Sequence, residues 1–158
     1  MPTIETFNKK SSDLQNTIQA VANIESLVQP QDAWSYQTII DLLAQDSVDL
    51  LFIYQSAKIV GYCLYQTVFE QSEILRIGTH PDYQRQGIAS QLFIALNAML
   101  ISKDVQQLML EVRADNNAAI ALYEQQGFEV IHSRKDYYKE AHRPSVDALI
   151  MQRDYLDN

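Results

Sequence analysis

A mixed α/β domain is what this sequence predicts, and three observations predict it. Several short segments alternate apolar and polar residues, the period of half-buried strands. Other segments repeat apolar residues at helical spacing. The two kinds interleave, and with only four Gly and four Pro nothing marks a linker or a repeat. The 158 residues suffice for one domain, 1–158, around one substantial core.

A first strand precedes two helices. Residues 11–28 place Leu14, Ile18, Val21, Ile24 and Glu25 at helical spacing, with Ser12 or Asp13 as the candidate cap. Gln29-Pro30-Gln31 breaks that helix. A second runs over 35–44, with Ser35 as N-cap and Ile39, Ile40 and Leu43 apolar. Strands over 49–54 and 58–69 flank a hairpin loop, Gln55-Ser56-Ala57. Gly61 falls inside the second of these, where glycine weakens a strand unless something needs the space. A third strand covers 73–79 and stops before Pro81. A long helix follows from about 85 to 102, with Ile88, Leu92, Ala95, Leu96 and Met99 on one face. Residues 106–112 alternate Leu108, Leu110 and Val112 against Met109, Glu111 and Arg113. A helix over 116–126 closes at Gly127, a suitable C-cap. Strands over 128–132 and 147–153 end the chain.

Composition narrows the function. The formal net charge of −8 argues against nucleic acid as a direct ligand. It favours a basic partner such as a cationic peptide, although solubility alone would produce the same balance. Cys63 is the only cysteine, which excludes an internal disulfide. Its apolar strand setting reads as a small buried residue rather than a nucleophile. His80, His132 and His142 lack metal-ligand spacing, so no metal is expected. No apolar run approaches the ~20 residues that span a bilayer. The segment Met1-Pro2-Thr3-Ile4-Glu5 lacks a secretory signal pattern. A cytoplasmic protein without a membrane partner is the expectation.

The most informative stretch is Gln84-Arg85-Gln86-Gly87-Ile88-Ala89, between a strand and a long helix. Gly87 lets backbone approach a ligand closely. Arg85 adds a permanent positive charge, and the helix start supplies N–H groups and the positive end of a dipole. This is a phosphate cradle suited to a diphosphate-bearing cofactor. It is not a P-loop, because no Gly-Lys-Ser/Thr follows, and the three spaced glycines of a dinucleotide fingerprint are missing.

The motif resembles the acetyl-CoA site of the GCN5-related N-acetyltransferases, the GNAT family, whose Gln/Arg-x-x-Gly-x-Gly/Ala is met by Gln84, Gly87 and Ala89. The resemblance implies a mixed, mostly antiparallel central sheet flanked by helices. It implies acetyl-CoA as co-substrate, its pyrophosphate held by Arg85, Gln86, Gly87, Ile88, Ala89 and Ser90. Ile77, Gly78 and Thr79 would then meet the pantetheine arm and the thioester.

The second constellation is Leu110-Glu111-Val112-Arg113 followed by residues 116–128. It offers a carboxylate on a strand end and a phenol on the next helix. Acetyl transfer to an amine needs two proton events: the ammonium loses a proton before attack, and the departing thiolate gains one. Glu111 can accept the first, directly or through water, and Tyr123 can donate the second. Residues 80–87, 110–128, and Tyr137-Tyr138 with 147–151 resemble the RimI branch of the family, which acetylates ribosomal-protein N-terminal alanine. The resemblance implies an N-terminal acceptor on small-subunit ribosomal protein eighteen. It makes Glu111 the general base, Tyr123 the general acid and Asn116 a cofactor contact. Departures from the branch pattern fall at Arg76, Asp136, Lys139, Pro144, Ser145 and Val146, near where the acceptor enters. Arg76, Tyr137 and Tyr138 are the candidate acceptor contacts. A small-molecule amine acceptor keeps the fold and the cofactor, and a non-catalytic acyl-CoA-binding module keeps only the cradle.

Overall fold

The structure is a computed structural model and describes residues 2–156. Its elements follow the expected order: Thr3–Thr6 (β1), Leu14–Val28 (α1), Tyr36–Leu43 (α2), Val48–Gln55 (β2), Lys58–Val68 (β3), Gln71–Thr79 (β4), Ile88–Ser102 (α3), Gln107–Arg113 (β5), Asn117–Gln125 (α4), Glu129–Tyr138 (β6) and Val146–Asp154 (β7). The strands form one seven-stranded sheet in the order β1-β2-β3-β4-β5-β7-β6. The β4–β5 pair is parallel, whereas β1–β2, β2–β3, β5–β7 and β6–β7 are antiparallel. The sheet is therefore mixed and mostly antiparallel. The chain divides into two compact units, Met1–Thr67 with Leu75–Met99, and Val68–Ile74 with Leu100–Asn158.

In the first unit, β2 and β3 close through a two-residue turn in which Ser56 and Ala57 both adopt positive φ, 54° and 62°. That geometry matches the right-handed strand twist and normally selects Asn or Gly. Ile18, Val21 and Ile24 of α1 and Ile39 and Leu43 of α2 form a buried core with Leu50, Phe52, Tyr62 and Leu64 of β2 and β3. Ser35 caps α2, its side chain accepting from Thr38 N–H at 3.2 Å. The expected cap of α1 is not made. Asp13 occupies the cap position at φ −90°, ψ 9°, outside the extended region that swings a side chain over the first amides, and makes no capping bond. Ser11 Oγ instead accepts from Asp13 N–H at 3.2 Å. Gly61 is explained by packing: a Cβ there would lie 2.7 Å from Ile88 Cγ2, so the missing side chain lets α3 settle on the strand. Cys63 is fully buried, and burial pushes its thiol well above the ordinary range, which suits an inert core residue.

In the second unit, the start of β4 pairs with β5, Glu73 lying across from Met109. Strand β5 buries Leu108, Leu110 and Val112 and turns Met109, Glu111 and Arg113 to the other face, as its alternation predicts. Helix α4 starts under a cap from Asn116 and ends at Gly127 with φ 88°. Arg153 Nη1 donates to Gln126 O at 2.9 Å, satisfying a carbonyl at that helix end. Strand β6 runs well beyond the expected residue 132, because Tyr138 still pairs with Val146. Its register to β7 shifts between Val130 and His132 and again between Arg134 and Tyr138.

Candidate active site

The cradle residues lie in the first unit. After β4 the chain makes a 3-10 turn over Pro81–Tyr83, fastened by the His80 side chain, whose Nδ1 accepts from Asp82 N–H at 3.1 Å. Gln84 Nε2 donates back to Thr79 O at 3.2 Å. Residues 85–87 do not join the helix as the periodicity suggests. Arg85 and Gly87 take positive φ, 62° and 79°, so α3 begins at Ile88. The left-handed pair turns the backbone out of helical geometry just before the first helical amides. The first helical bond runs from Gln91 N to Gly87 O at 3.0 Å. The amides of Ile88 and Ala89 therefore precede any intrahelical acceptor and face the helix's positive end.

This geometry fits a diphosphate group. A Cβ built on Gly87 meets nothing within 4 Å, so its backbone lies open on the surface. Arg85, Gln86 and Gly87 are exposed, Ala89 and Ser90 are half-buried, and only Ile88 is buried, anchoring the turn against β3. Ile77, Gly78 and Thr79 form the C-terminal end of β4, and Gly78 backs onto the Tyr62 ring, leaving no room for a side chain.

Arg76, one residue earlier, is drawn into the interior of its own unit. Its Nη1 donates to Gln29 Oε1 at 2.8 Å and its Nη2 to Asp32 O at 2.6 Å. Its Nε lies 3.4 Å from Glu25 Oε2, and its guanidinium sits 4.4 Å over the Trp34 ring. Glu25 is fully buried and also accepts from Trp34 N–H at 3.0 Å and from the Tyr62 hydroxyl. Burial first, then the Glu25 charge and its hydrogen bond, push the Tyr62 hydroxyl far above its ordinary range. The sequence places Glu25 on the apolar face of α1 but does not show its partners, Arg76, Tyr62 and Trp34, which come from other parts of the chain.

The second unit holds the acid–base candidates. Glu111 projects from β5 across from Ile150 of β7. Its Oε1 accepts from the Tyr138 hydroxyl at 3.1 Å, and its Oε2 lies 3.7 Å from Arg134 Nη1. Tyr138 is further packed by Arg113, whose guanidinium lies 5.0 Å from its ring centre, and by Tyr137 at 5.2 Å, edge to face. Burial first, then the Glu111 charge and the shared hydrogen bond, push the Tyr138 hydroxyl above its usual range, so it stays a donor. Glu73 shares this sheet face, since its partner Met109 and Glu111 alternate to the same side of β5. Burial and then the Glu111 charge raise the Glu73 carboxyl, and Arg134 opposes the shift.

Asn116 caps α4 and Tyr123 lies within it. The Asn116 Oδ1 accepts from Ala119 N–H at 3.2 Å, so its carbonyl is engaged as the helix cap. Tyr123 is half-buried, its ring 6.0 Å from that of Phe128. The structure thus gathers Glu111, Tyr138 and Arg134 into one cluster. Arg134 and Glu73 were not foreseen, because their approach to Glu111 depends on strand register.

The sequence matches the acetyltransferase (GNAT) family over residues 16–128. Over 97 residues it is 40% identical to the [ribosomal protein bS18]-alanine N-acetyltransferase of Escherichia coli (strain K12), a match covering 61% of this chain and 65% of that protein, just under two thirds of the relative's length. The crystal structure of the Escherichia coli ribosomal-protein-S18-alanine N-acetyltransferase matches with a TM-score of 0.86 at 31% identity, covering 98% of this chain and 94% of that one. A GNAT family acetyltransferase from Elizabethkingia anophelis, crystallised with acetyl-CoA bound, shares the fold at a TM-score of 0.75 and 19% identity, covering 97% of each chain. A family match over more than half of the sequence and a shared fold over nearly all of it lead to one conclusion: this chain belongs to the acetyltransferase (GNAT) family.

Proposed function

We propose that this protein transfers an acetyl group from acetyl-CoA to the α-amino group of a protein N-terminus, with the N-terminal alanine of ribosomal protein bS18 as the first acceptor to test. The observation that carries the reading is the Glu111 carboxylate, fixed through Oε1 by Tyr138 and presenting Oε2 to a cation. The identity to the Escherichia coli enzyme supports the choice of acceptor. The acetyl-CoA bound to the Elizabethkingia relative supports the choice of donor.

Bound acetyl-CoA supplies the acetyl group and a thiolate leaving group. Arg85, Gln86, Gly87, Ile88, Ala89 and Ser90 hold its diphosphate through backbone N–H groups and the helix dipole. Ile77, Gly78 and Thr79 line the pantetheine arm, and Asn116 adds a polar contact. Glu111 receives a proton from the acceptor ammonium. An α-ammonium has a pKa of about 8, so this step asks little of a carboxylate near neutrality. The amine nitrogen then bonds to the carbonyl carbon as the carbon–sulfur bond breaks, the Tyr123 hydroxyl gives its proton to sulfur, and the proton that the acylated nitrogen sheds returns through solvent to the Tyr123 phenolate, leaving a neutral amide and a free thiol. Tyr137 and Tyr138 flank the acceptor, whereas Arg76, expected as a third contact, is committed to Gln29, Asp32, Glu25 and Trp34 inside its own unit and is left out of that role.

The test is an acetylation assay with alanine-starting peptides beside polyamines and aminoglycosides. Turnover of the peptides supports the proposal. Turnover of the small amines alone replaces it with a small-molecule acetyltransferase, and binding of acetyl-CoA without any turnover replaces it with a non-catalytic module.

A further inference from the structure

The two oxygens of Glu111 are not equivalent. Oε1 is fixed by the Tyr138 hydroxyl at 3.1 Å, on the side where Tyr138 is packed by Arg113 and Tyr137. Oε2 is met only loosely, by Arg134 Nη1 at 3.7 Å. A short charge-assisted bond would lie near 2.7–2.9 Å. The Arg134 side chain is 51% exposed against 27% for Glu111, so the guanidinium reaches the carboxylate from the solvent side.

Arg134 also has a second place to rest. Its guanidinium lies 5.5 Å from the centre of the Tyr137 ring, which is itself exposed. Arg134 itself pairs with Ala148, but the register to β7 shifts directly after it, so Tyr137 lies in a stretch that regular pairing does not pin. The cation further serves two carboxylates, since Glu73 on the same sheet face also feels both Glu111 and Arg134.

We infer that Arg134 is a specificity-determining residue: it occupies the seat of the acceptor's α-ammonium on Glu111 Oε2, and the acceptor binds by displacing it toward Tyr137. An ammonium is a compact point charge with three donors and can approach the oxygen more closely than a planar guanidinium tethered to the middle of its own strand. An exposed ion pair at this distance is weak, so displacement is within reach of a substrate cation. A neutral amine offers Oε2 only an uncharged N–H donor, a weaker bond that brings no charge to replace that of Arg134. The site therefore selects a compact cationic amine, and the strength of the Arg134 contact sets the acceptor KM. The inference rests on the reading of Glu111 as the group that meets the acceptor ammonium.

Steady-state kinetics with the alanine-starting N-terminal peptide of bS18 test it. In Arg134→Gln the acceptor KM falls about threefold, the span of an exposed ion pair, while kcat stays within about twofold and the acetyl-CoA KM is unmoved. Arg134→Lys keeps a cation and keeps the wild-type acceptor KM or raises it. Arg134→Met repeats the charge removal with the apolar stem retained. A merely structural role would lower kcat or raise both KM values. An acceptor KM that is unchanged or higher in both Arg134→Gln and Arg134→Met overturns the inference. Glu111→Gln, assayed alongside, separates the two readings. Full turnover in that variant removes Glu111 as base. Lost turnover there, with no fall of KM in the Arg134 variants, removes the Arg134 inference alone.

Discussion

Arg76 Nε approaches Glu25 Oε2 at 3.4 Å, and the carboxylate it meets is completely buried. The pair joins β4 to α1 just before Ile77, Gly78 and Thr79, and the same carboxylate holds the Trp34 backbone N–H at the start of the α2 segment. A buried charge that loses its partner is costly, so Glu25→Gln is expected to destabilise the protein by about 3 kcal/mol in urea denaturation. Trp34 is the only tryptophan, and it lies 4.4 Å under the Arg76 guanidinium, so its emission should shift in the folded variant. A stability loss below about 0.5 kcal/mol with unchanged emission would show that the pair does not organise this segment.

Two glycines of the first unit should respond differently to alanine. At Gly61 the new Cβ would sit 2.7 Å from Ile88 Cγ2, an overpacking clash expected to cost about 2 kcal/mol. At Gly87 nothing lies within 4 Å, and the cost comes from φ 79° alone, about 1 kcal/mol. Both variants should also raise the acetyl-CoA KM, the first by lifting the start of α3 and the second by distorting the cradle. Denaturation beside KM measurements checks this, and an unchanged KM in both would separate the turn from cofactor binding.

Tyr123→Phe keeps the ring beside Phe128 and removes only the hydroxyl. Acetyl-CoA binding by calorimetry should be retained, while kcat should fall about a hundredfold, the scale of a lost general acid. Undiminished turnover would remove Tyr123 from that role.

Glu73 predicts a pH effect. Burial and the Glu111 charge raise its carboxyl in the folded state. The folded chain thus holds this proton to higher pH than the unfolded chain does. Its contribution favours folding below the ordinary carboxylate pKa of about 4.3 and is lost as pH rises through the raised value. Glu73→Gln should therefore have a higher Tm than the wild type at neutral pH, with the difference shrinking toward about pH 4. An equal or lower Tm at neutral pH would contradict it.

How far the sequence could be read follows from how local each signal is. The strand, turn and helix around Gly87 were legible because they are contiguous, and Gly61 marked a place where something needs the space, which the structure fills with Ile88 of α3. The alternation of β5 likewise placed Glu111 on the face opposite Leu110 and Val112. The α3 start was set three residues early, because positive φ at Arg85 and Gly87 leaves no mark on apolar periodicity. The α1 cap failed because Asp13 lacks the extended backbone that capping requires. The Arg76 environment was missed because its partners come from α1 and the segment after it. The meeting of Arg134 with Glu111 was illegible for a different reason. It depends on the register that pairs Arg134 with Ala148 of β7 and Glu111 with Ile150, which composition does not encode.

The central claim is acetyl transfer to a protein α-amino group, and intact-mass spectrometry of ribosomal proteins from cells with and without the gene tests it most directly. The account predicts that bS18 carries one acetyl group on its N-terminal alanine when the gene is present and none when it is deleted, with acetylation restored by the wild-type gene but not by one encoding Tyr123→Phe. Full acetylation of bS18 in the deletion strain would contradict it.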